Sequence, residues 1–170
     1  MNWIIFLDRD WVINKKPKEH DYVKSRKEFF WNEWIKDFIK YCNDNDFLVI
    51  VITNQQWIWK WLYSQETLCK IHENINIDLS KIQATIDYFY FCPHLSTNNC
   101  ECRKPKIWLL EMACSQIGFY EKERMLFIWD SSSDIESANN FWIRSIHIES
   151  NNIINYMWVI FEIIEMMKRL

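Results

Sequence analysis

The sequence predicts an α/β fold, a parallel sheet flanked by helices. Three observations predict it. Short apolar runs recur along the chain, helical patterns separate them, and nearly every run stops at a polar cluster. The first run, 3–7, Trp-Ile-Ile-Phe-Leu, ends at Asp8-Arg9-Asp10. Continuous apolar runs of this length suit strands buried on both faces. A helix is expected over about 33–44. The second run, 47–52, Phe-Leu-Val-Ile-Val-Ile, ends at Thr53-Asn54-Gln55 and is followed by a helical pattern over about 64–79. The third run, 86–91, is weaker and ends at Cys92-Pro93-His94. The stretch 92–106 is too polar and too rich in cysteine for a core, so it reads as a loop insert leading to a helix over about 107–117. The fourth run, 125–128, ends at Trp129-Asp130-Ser131 and precedes a helix over about 133–140. A fifth strand is expected over 143–148, and a last helix, about 151–168, is apolar all along and is expected to pack on the sheet. In such sheets ligands sit at the carboxyl ends of the strands. That is where these polar clusters fall.

Size and charge narrow the function. With 170 residues the chain suits one domain, 1–170, with a sizeable core. A net charge of -3 gives no electrostatic reason to expect nucleic acid. No apolar stretch is long enough for a membrane span, and the start, which reaches an acid at Asp8, lacks the basic region of a signal peptide. A cytoplasmic monomer is expected, with six cysteines reduced or metal-bound.

Asp8 and Asp10, at i and i+2 beyond a strand end, can share one cation and one substrate. One can attack while the other moves a proton; a bare pair of this kind is usually a solvated turn. Thr53 offers a hydroxyl to a phosphate oxygen, and Asn54 an amide donor beside it. Cys92, His94, Cys100 and Cys102 lie within eleven residues and fit a tetrahedral structural zinc site. Cys42, Cys69 and Cys114 fall in helical patterns and read as core thiols. Lys104 can neutralise phosphoryl charge, and Arg103 offers a forked donor to an anionic or hydroxyl group. Asp130 completes a Mg2+ site with the first two aspartates. Asp134 is either a helix N-terminal acid or a supporting residue behind the site.

Asp8-Arg9-Asp10-Trp11-Val12 resembles the D-x-D-G-[TV] signature of haloacid dehalogenase-like (HAD) phosphatases. Thr53-Asn54-Gln55-Gln56-Trp57-Ile58-Trp59-Lys60-Trp61 is similar to the T-N-Q-S-G-I-G-R-G string of one branch, and Trp129-Asp130 with Asp134-Ile135 to G-D-x-x-x-D-[IM]. With the zinc loop, the resemblance spans about residues 4–148 and is to the branch holding heptose-1,7-bisphosphate and histidinol-phosphate phosphatases. It implies a Rossmann-like HAD fold with a zinc-clamped loop and no large cap domain. It implies Mg2+-dependent phosphomonoester hydrolysis through an aspartyl-phosphate on Asp8. Asp10 is then acid and base, Thr53 and Lys104 hold phosphoryl oxygens, and Mg2+ meets the Asp8 carboxylate, the Asp10 carbonyl and Asp130. The implied substrate is the 7-phosphate of D-glycero-D-manno-heptose 1,7-bisphosphate, with histidinol phosphate as the alternative. The zinc loop and the loop after Asp10 are expected to border it. A zinc-bearing binding module without activity is the rival of another class, and the complete set of catalytic side chains argues against it.

The composition carries one anomaly: 1 Gly and 11 Trp. Ordinary usage of about 7% predicts roughly 12 glycines in a chain of this length. Trp11, Trp34, Trp57, Trp59, Trp61, Trp108, Trp129 and Trp142 stand where the resemblance expects glycine. A gene whose UGA codons mean glycine, written out with UGA as tryptophan, would give this pattern. The Ile, Asn and Lys content fits an AT-rich genome. Read literally, the tryptophan polypeptide is expected to be insoluble or inactive.

Overall fold

The computed structural model describes residues 3–15, 23–119, 121–148 and 153–168. Five parallel strands form one sheet: β1 (Ile4–Leu7), β2 (Leu48–Asn54), β3 (Tyr88–Cys92), β4 (Met125–Trp129) and β5 (Arg144–His147). Their order is β3-β2-β1-β4-β5. Five α-helices accompany them: α1 (Ile35–Asp44), α2 (Gln65–Ser80), α3 (Trp108–Ile117), α4 (Ser132–Phe141) and α5 (Ile153–Lys168). Each strand and helix expected from the sequence is present, with ends shifted by a residue or two, as helix and strand ends commonly are.

Alternation along the strands explains the layering. In β1, Ile5 and Leu7 point to one face with Val49, Val51, Leu126 and Ile128, where α1, α2 and α5 cover them. Ile4 and Phe6 point to the other with Ile50, Ile52, Met125 and Phe127, under α3 and α4. Both faces are buried, so the strands read as unbroken apolar runs. The apolar α5 does pack here: Ile160, Ile164 and Met167 join the α1 side of the core. Among the described residues no helix is long and apolar enough to cross a membrane.

One expected core thiol is not there. Cys42 and Cys114 are buried, but Cys69 is exposed. The buried face of α2 is Leu68, Ile71, His72, Ile75 and Leu79, and one step along a helix turns Cys69 away from it.

The tryptophans divide. Trp11 (φ 73°), Trp61 (φ 57°) and Trp142 (φ 60°) have left-handed backbone, where a side chain is strained. Gly118 (φ 71°) ends α3, and Trp142 occupies the same left-handed position at the end of α4. In both, backbone N–H groups fold back onto the last turn: Phe119 donates to Cys114 and Ile143 to Ala138. The other five tryptophans expected at glycine positions do not have positive φ.

Candidate active site

The order β3-β2-β1-β4-β5 reverses direction on either side of β1. That opens a crevice at the carboxyl ends of β1 and β4, the usual place for a ligand. Asp8 follows β1 and Asp130 follows β4. The Asp8 N–H donates to the Ile128 carbonyl (3.0 Å), which ties the two strand ends together.

Lys104 reaches this point from the end of the loop before α3. Its buried ammonium donates to Asp8 Oδ1 (2.9 Å) and to the Ile52 carbonyl (2.8 Å). It also pairs with Asp134 Oδ1 at 2.6 Å. Burial opposes the Lys104 charge, but Asp134 and Asp8 outweigh it and hold the ammonium well above the usual lysine range. Asp134 thus combines both expected roles. It lies in the first turn of α4 and is fully buried behind the site, where it fixes Lys104 and accepts from the Ser131 hydroxyl (2.7 Å).

Asp8, Asp130 and Asp134 each offer an oxygen, and these lie within 4.8 Å of one another. Burial, with repulsion from Asp134 and Asp10, raises the Asp8 carboxyl to about 6 against the pull of Lys104. Burial and the neighbouring Asp8 and Asp134 raise Asp130 to about 9. Crowded hard oxygen donors of this kind fit a divalent cation such as Mg2+, which would relieve their repulsion.

The Asp10 carboxylate, beside this cluster, has its own set of donors. Arg9, fully buried, grips both of its oxygens through Nε and Nη2 at 2.8–3.1 Å. Gln55 Nε2 adds a third donor to Asp10 Oδ2 at 2.8 Å. The turn that presents Asp10 is held from outside: Asn32 donates to the carbonyls of Trp11 (2.7 Å) and Val12 (2.9 Å). The loop after Asp10 runs into residues 16–22, so its expected border with substrate lies outside the described residues.

Near the end of β2, Thr53 has a buried hydroxyl that accepts from Gln55 Nε2 at 2.9 Å. Its own proton remains for an acceptor in the crevice. Asn54 is the last residue of β2. Its side chain closes a two-way clamp on the Lys104 backbone, with Nδ2 to the carbonyl (3.2 Å) and Oδ1 from the N–H (3.1 Å). Arg103 gives Nη1 to the His94 carbonyl (3.1 Å). Both are brought to the loop that carries Lys104.

That loop starts where β3 ends. Cys92 Sγ lies 3.6 Å from His94 Nδ1 and 3.6 Å from Cys100 Sγ; Cys102 Sγ lies 3.2 Å from His94 Nδ1 and 3.7 Å from Cys100 Sγ. The edges of a tetrahedron around a metal with bonds of about 2.3 Å are about 3.8 Å. The four atoms therefore fit one tetrahedral ion, and none of the cysteines is in a disulfide. The Gln55 N–H donates to the Cys92 carbonyl (2.7 Å), which joins this cluster to the end of β2.

Arg9, Gln55 and Tyr63 were not assigned a role by sequence reasoning. Gln55 carried a signal, since it directly follows the Thr53-Asn54 strand end. Tyr63, eight residues on, carried none.

Residues 3–168 match the model of the polynucleotide kinase 3 phosphatase family. A Mycobacterium tuberculosis relative, D-glycero-alpha-D-manno-heptose-1,7-bisphosphate 7-phosphatase, is 33% identical over 138 residues, 81% of this chain and 72% of the relative. A Neisseria meningitidis relative, the corresponding beta-heptose 7-phosphatase, is 31% identical over 136 residues, 80% of this chain and 71% of the relative. The crystal structure of D,D-heptose 1,7-bisphosphate phosphatase from B. bronchiseptica, complexed with magnesium and phosphate, aligns with a TM-score of 0.79 at 26% identity, covering 85% of this chain and 79% of that one. A HAD-superfamily hydrolase from Geobacter sulfurreducens shares the fold, with a TM-score of 0.56 at 11% identity over 86% of this chain and 89% of that one.

Proposed function

The chain belongs to the polynucleotide kinase 3 phosphatase family, and from that membership we propose that it removes the 7-phosphate of D-glycero-D-manno-heptose 1,7-bisphosphate through an aspartyl-phosphate on Asp8. The observation that carries this reading is the Lys104 ammonium fixed between Asp8 and Asp134, beside Asp130, at the sheet's crevice. A carboxylate held in one rotation, with a cation beside it, is poised to attack phosphorus.

Asp8 forms a new O–P bond as the bond to the sugar oxygen breaks. Asp10 gives that oxygen its proton, so the sugar leaves as an alcohol. Asp10, now a carboxylate, takes a proton from water, and the water oxygen attacks the aspartyl-phosphate. Inorganic phosphate leaves, Asp8 is regenerated and Asp10 is protonated again. Lys104 and the Thr53 hydroxyl hold the phosphoryl oxygens, Asn54 steadies Lys104, and Arg103 links the cysteine loop to it. The Asp8 and Asp130 carboxylates with the Asp10 carbonyl would hold Mg2+. When bound, that ion supplies positive charge to the phosphoryl oxygens. Cys92, His94, Cys100 and Cys102 would hold a structural zinc. The proposed compartment is the cytoplasm, where thiols stay reduced or metal-bound.

The test is hydrolysis with Mg2+ of both heptose 1,7-bisphosphate anomers and of histidinol phosphate, by the wild type and Asp8→Asn. Turnover of a heptose substrate that is lost in the variant is the expected result. Preference for histidinol phosphate, or turnover by Asp8→Asn, would refute the reading.

A further inference from the structure

Gln55 is fully buried, yet every polar atom of its side chain has a partner. Nε2 gives one proton to Asp10 Oδ2 (2.8 Å) and one to Thr53 Oγ1 (2.9 Å). Oε1 accepts from the Tyr63 hydroxyl. The amide has two orientations, and only one is compatible with these partners. Flipped, its oxygen would face the Asp10 carboxylate, which can only accept. The Asp10 carboxylate selects the orientation that works, and Tyr63 steadies it by donating to Oε1. Tyr63 also lines a cavity of about 590 Å³ with Ile58, Trp59, Pro93 and His94, between the segment after β2 and the cysteine loop.

We propose that Gln55 is a positioning residue for both Asp10 and the phosphoryl-holding Thr53, and that Tyr63 steadies its amide. The proposal rests on the phosphatase reading above. The amide fixes where the Asp10 oxygens stand and makes Thr53 Oγ1 an acceptor on one side. The Thr53 proton is thereby directed to a phosphate oxygen.

The two effects separate kinetically. Proton donation by Asp10 matters for a sugar alcohol, a poor leaving group, and little for p-nitrophenolate, a good one. Loss of the Thr53 contact affects binding of either substrate. Tyr63→Phe and Gln55→Leu are compared with wild type on heptose bisphosphate and on p-nitrophenyl phosphate, with thermal unfolding and metal content measured alongside. The expected result is a KM rise shared by both substrates, and a kcat loss for the sugar phosphate that exceeds the aryl phosphate loss about tenfold or more. Equal kcat losses on the two substrates would overturn the positioning role and leave Gln55 merely structural. Wild-type enzyme that hydrolyses neither substrate would instead overturn the phosphatase reading, and the positioning role with it. A variant that loses its folded baseline is replaced by Gln55→Met, read by the same ratio.

A separate set of observations concerns the tryptophans. Trp11, Trp61 and Trp142 hold left-handed backbone. Trp61 is 94% and Trp142 82% exposed, so neither ring gains burial to offset the strain. The buried indole N–H groups of Trp34 and Trp129 have no acceptor among the described residues, whereas buried indoles ordinarily find one. Trp142 repeats the geometry of Gly118, the chain's single glycine. We infer that glycine occupies most of these tryptophan positions in the polypeptide made by the source cell, through a UGA codon read as glycine. The contacts of Gln55 with Asp10, Thr53 and Tyr63 involve no tryptophan, although Trp59 and Trp61 line the cavity beside Tyr63.

The test is peptide mass spectrometry of the protein from its native source, across residues 57–61 and 142. Glycine at positions 57, 59, 61 and 142 is expected. Tryptophan at these positions would overturn the inference.

Discussion

Trp142→Gly should stabilise the protein, and Gly118→Ala should destabilise it by a similar amount. Both residues end a helix in the left-handed region, at φ 60° and 71°. A side chain in that region costs about 1–2 kcal/mol. Removing the exposed Trp142 ring forfeits little burial. Glycine gives back about 0.4–1 kcal/mol through the freer unfolded chain. The net gain is then about 0–1.6 kcal/mol, or a Tm rise of up to about 6 °C for a chain of this size. At Gly118 an added Cβ would meet nothing within 4 Å, so Gly118→Ala isolates the same strain with the opposite sign. Urea and thermal unfolding at fixed metal concentration measure both. A Trp142→Gly variant that is less stable than the parent, beside a destabilised Gly118→Ala, would refute the reasoning. It would mean that the Trp142 ring contributes more than the strain costs.

Asp10→Asn should lower kcat on the sugar phosphate by about 10²–10⁴-fold while still forming some aspartyl-phosphate from an aryl phosphate; wild-type rates on both esters would remove Asp10 from its acid-base role. Cys100→Ser/Cys102→Ser should lose one zinc per chain without removing the separate Mg2+ requirement, as elemental analysis would show, and unchanged zinc content would refute the ligand set. In the Mg2+-free chain, folding raises Asp8 to about 6 and Asp130 to about 9. The folded form then binds more protons than the unfolded form above about pH 4, so stability falls as pH climbs from about 4 to about 9. Mg2+ should therefore raise Tm more at pH 8 than at pH 5; a Mg2+-free Tm that climbs across the window would contradict the carboxylate crowding.

The fold was legible because the three central strands are buried on both faces. Ile4 to Leu7 and Leu48 to Ile52 could not read as anything else once helical spacing followed them. The aspartates and the cysteine cluster were legible because each sits at the end of such a run. What was not legible depends on contacts across the chain. Asn54 has the chemistry of a phosphate donor, but it meets a backbone fifty residues away that needs both of its polar groups. Gln55 joins Asp10 across 45 residues, and no local pattern encodes that pairing. Cys69 was misplaced by one helical step, because the α2 stripe runs through its neighbour Leu68. The left-handed tryptophans were partly legible: three of the positions expected to need glycine have the backbone that needs it, at Trp11, Trp61 and Trp142.

The covalent step is tested most directly by acid-quenching the enzyme during turnover with Mg2+ and locating the phosphoryl group by peptide mass spectrometry. The account predicts a phosphoryl group on Asp8 that accumulates in Asp10→Asn and is absent from Asp8→Asn. Steady release of phosphate by the wild type, with no phosphoryl group on Asp8 in either the wild type or Asp10→Asn, would contradict it.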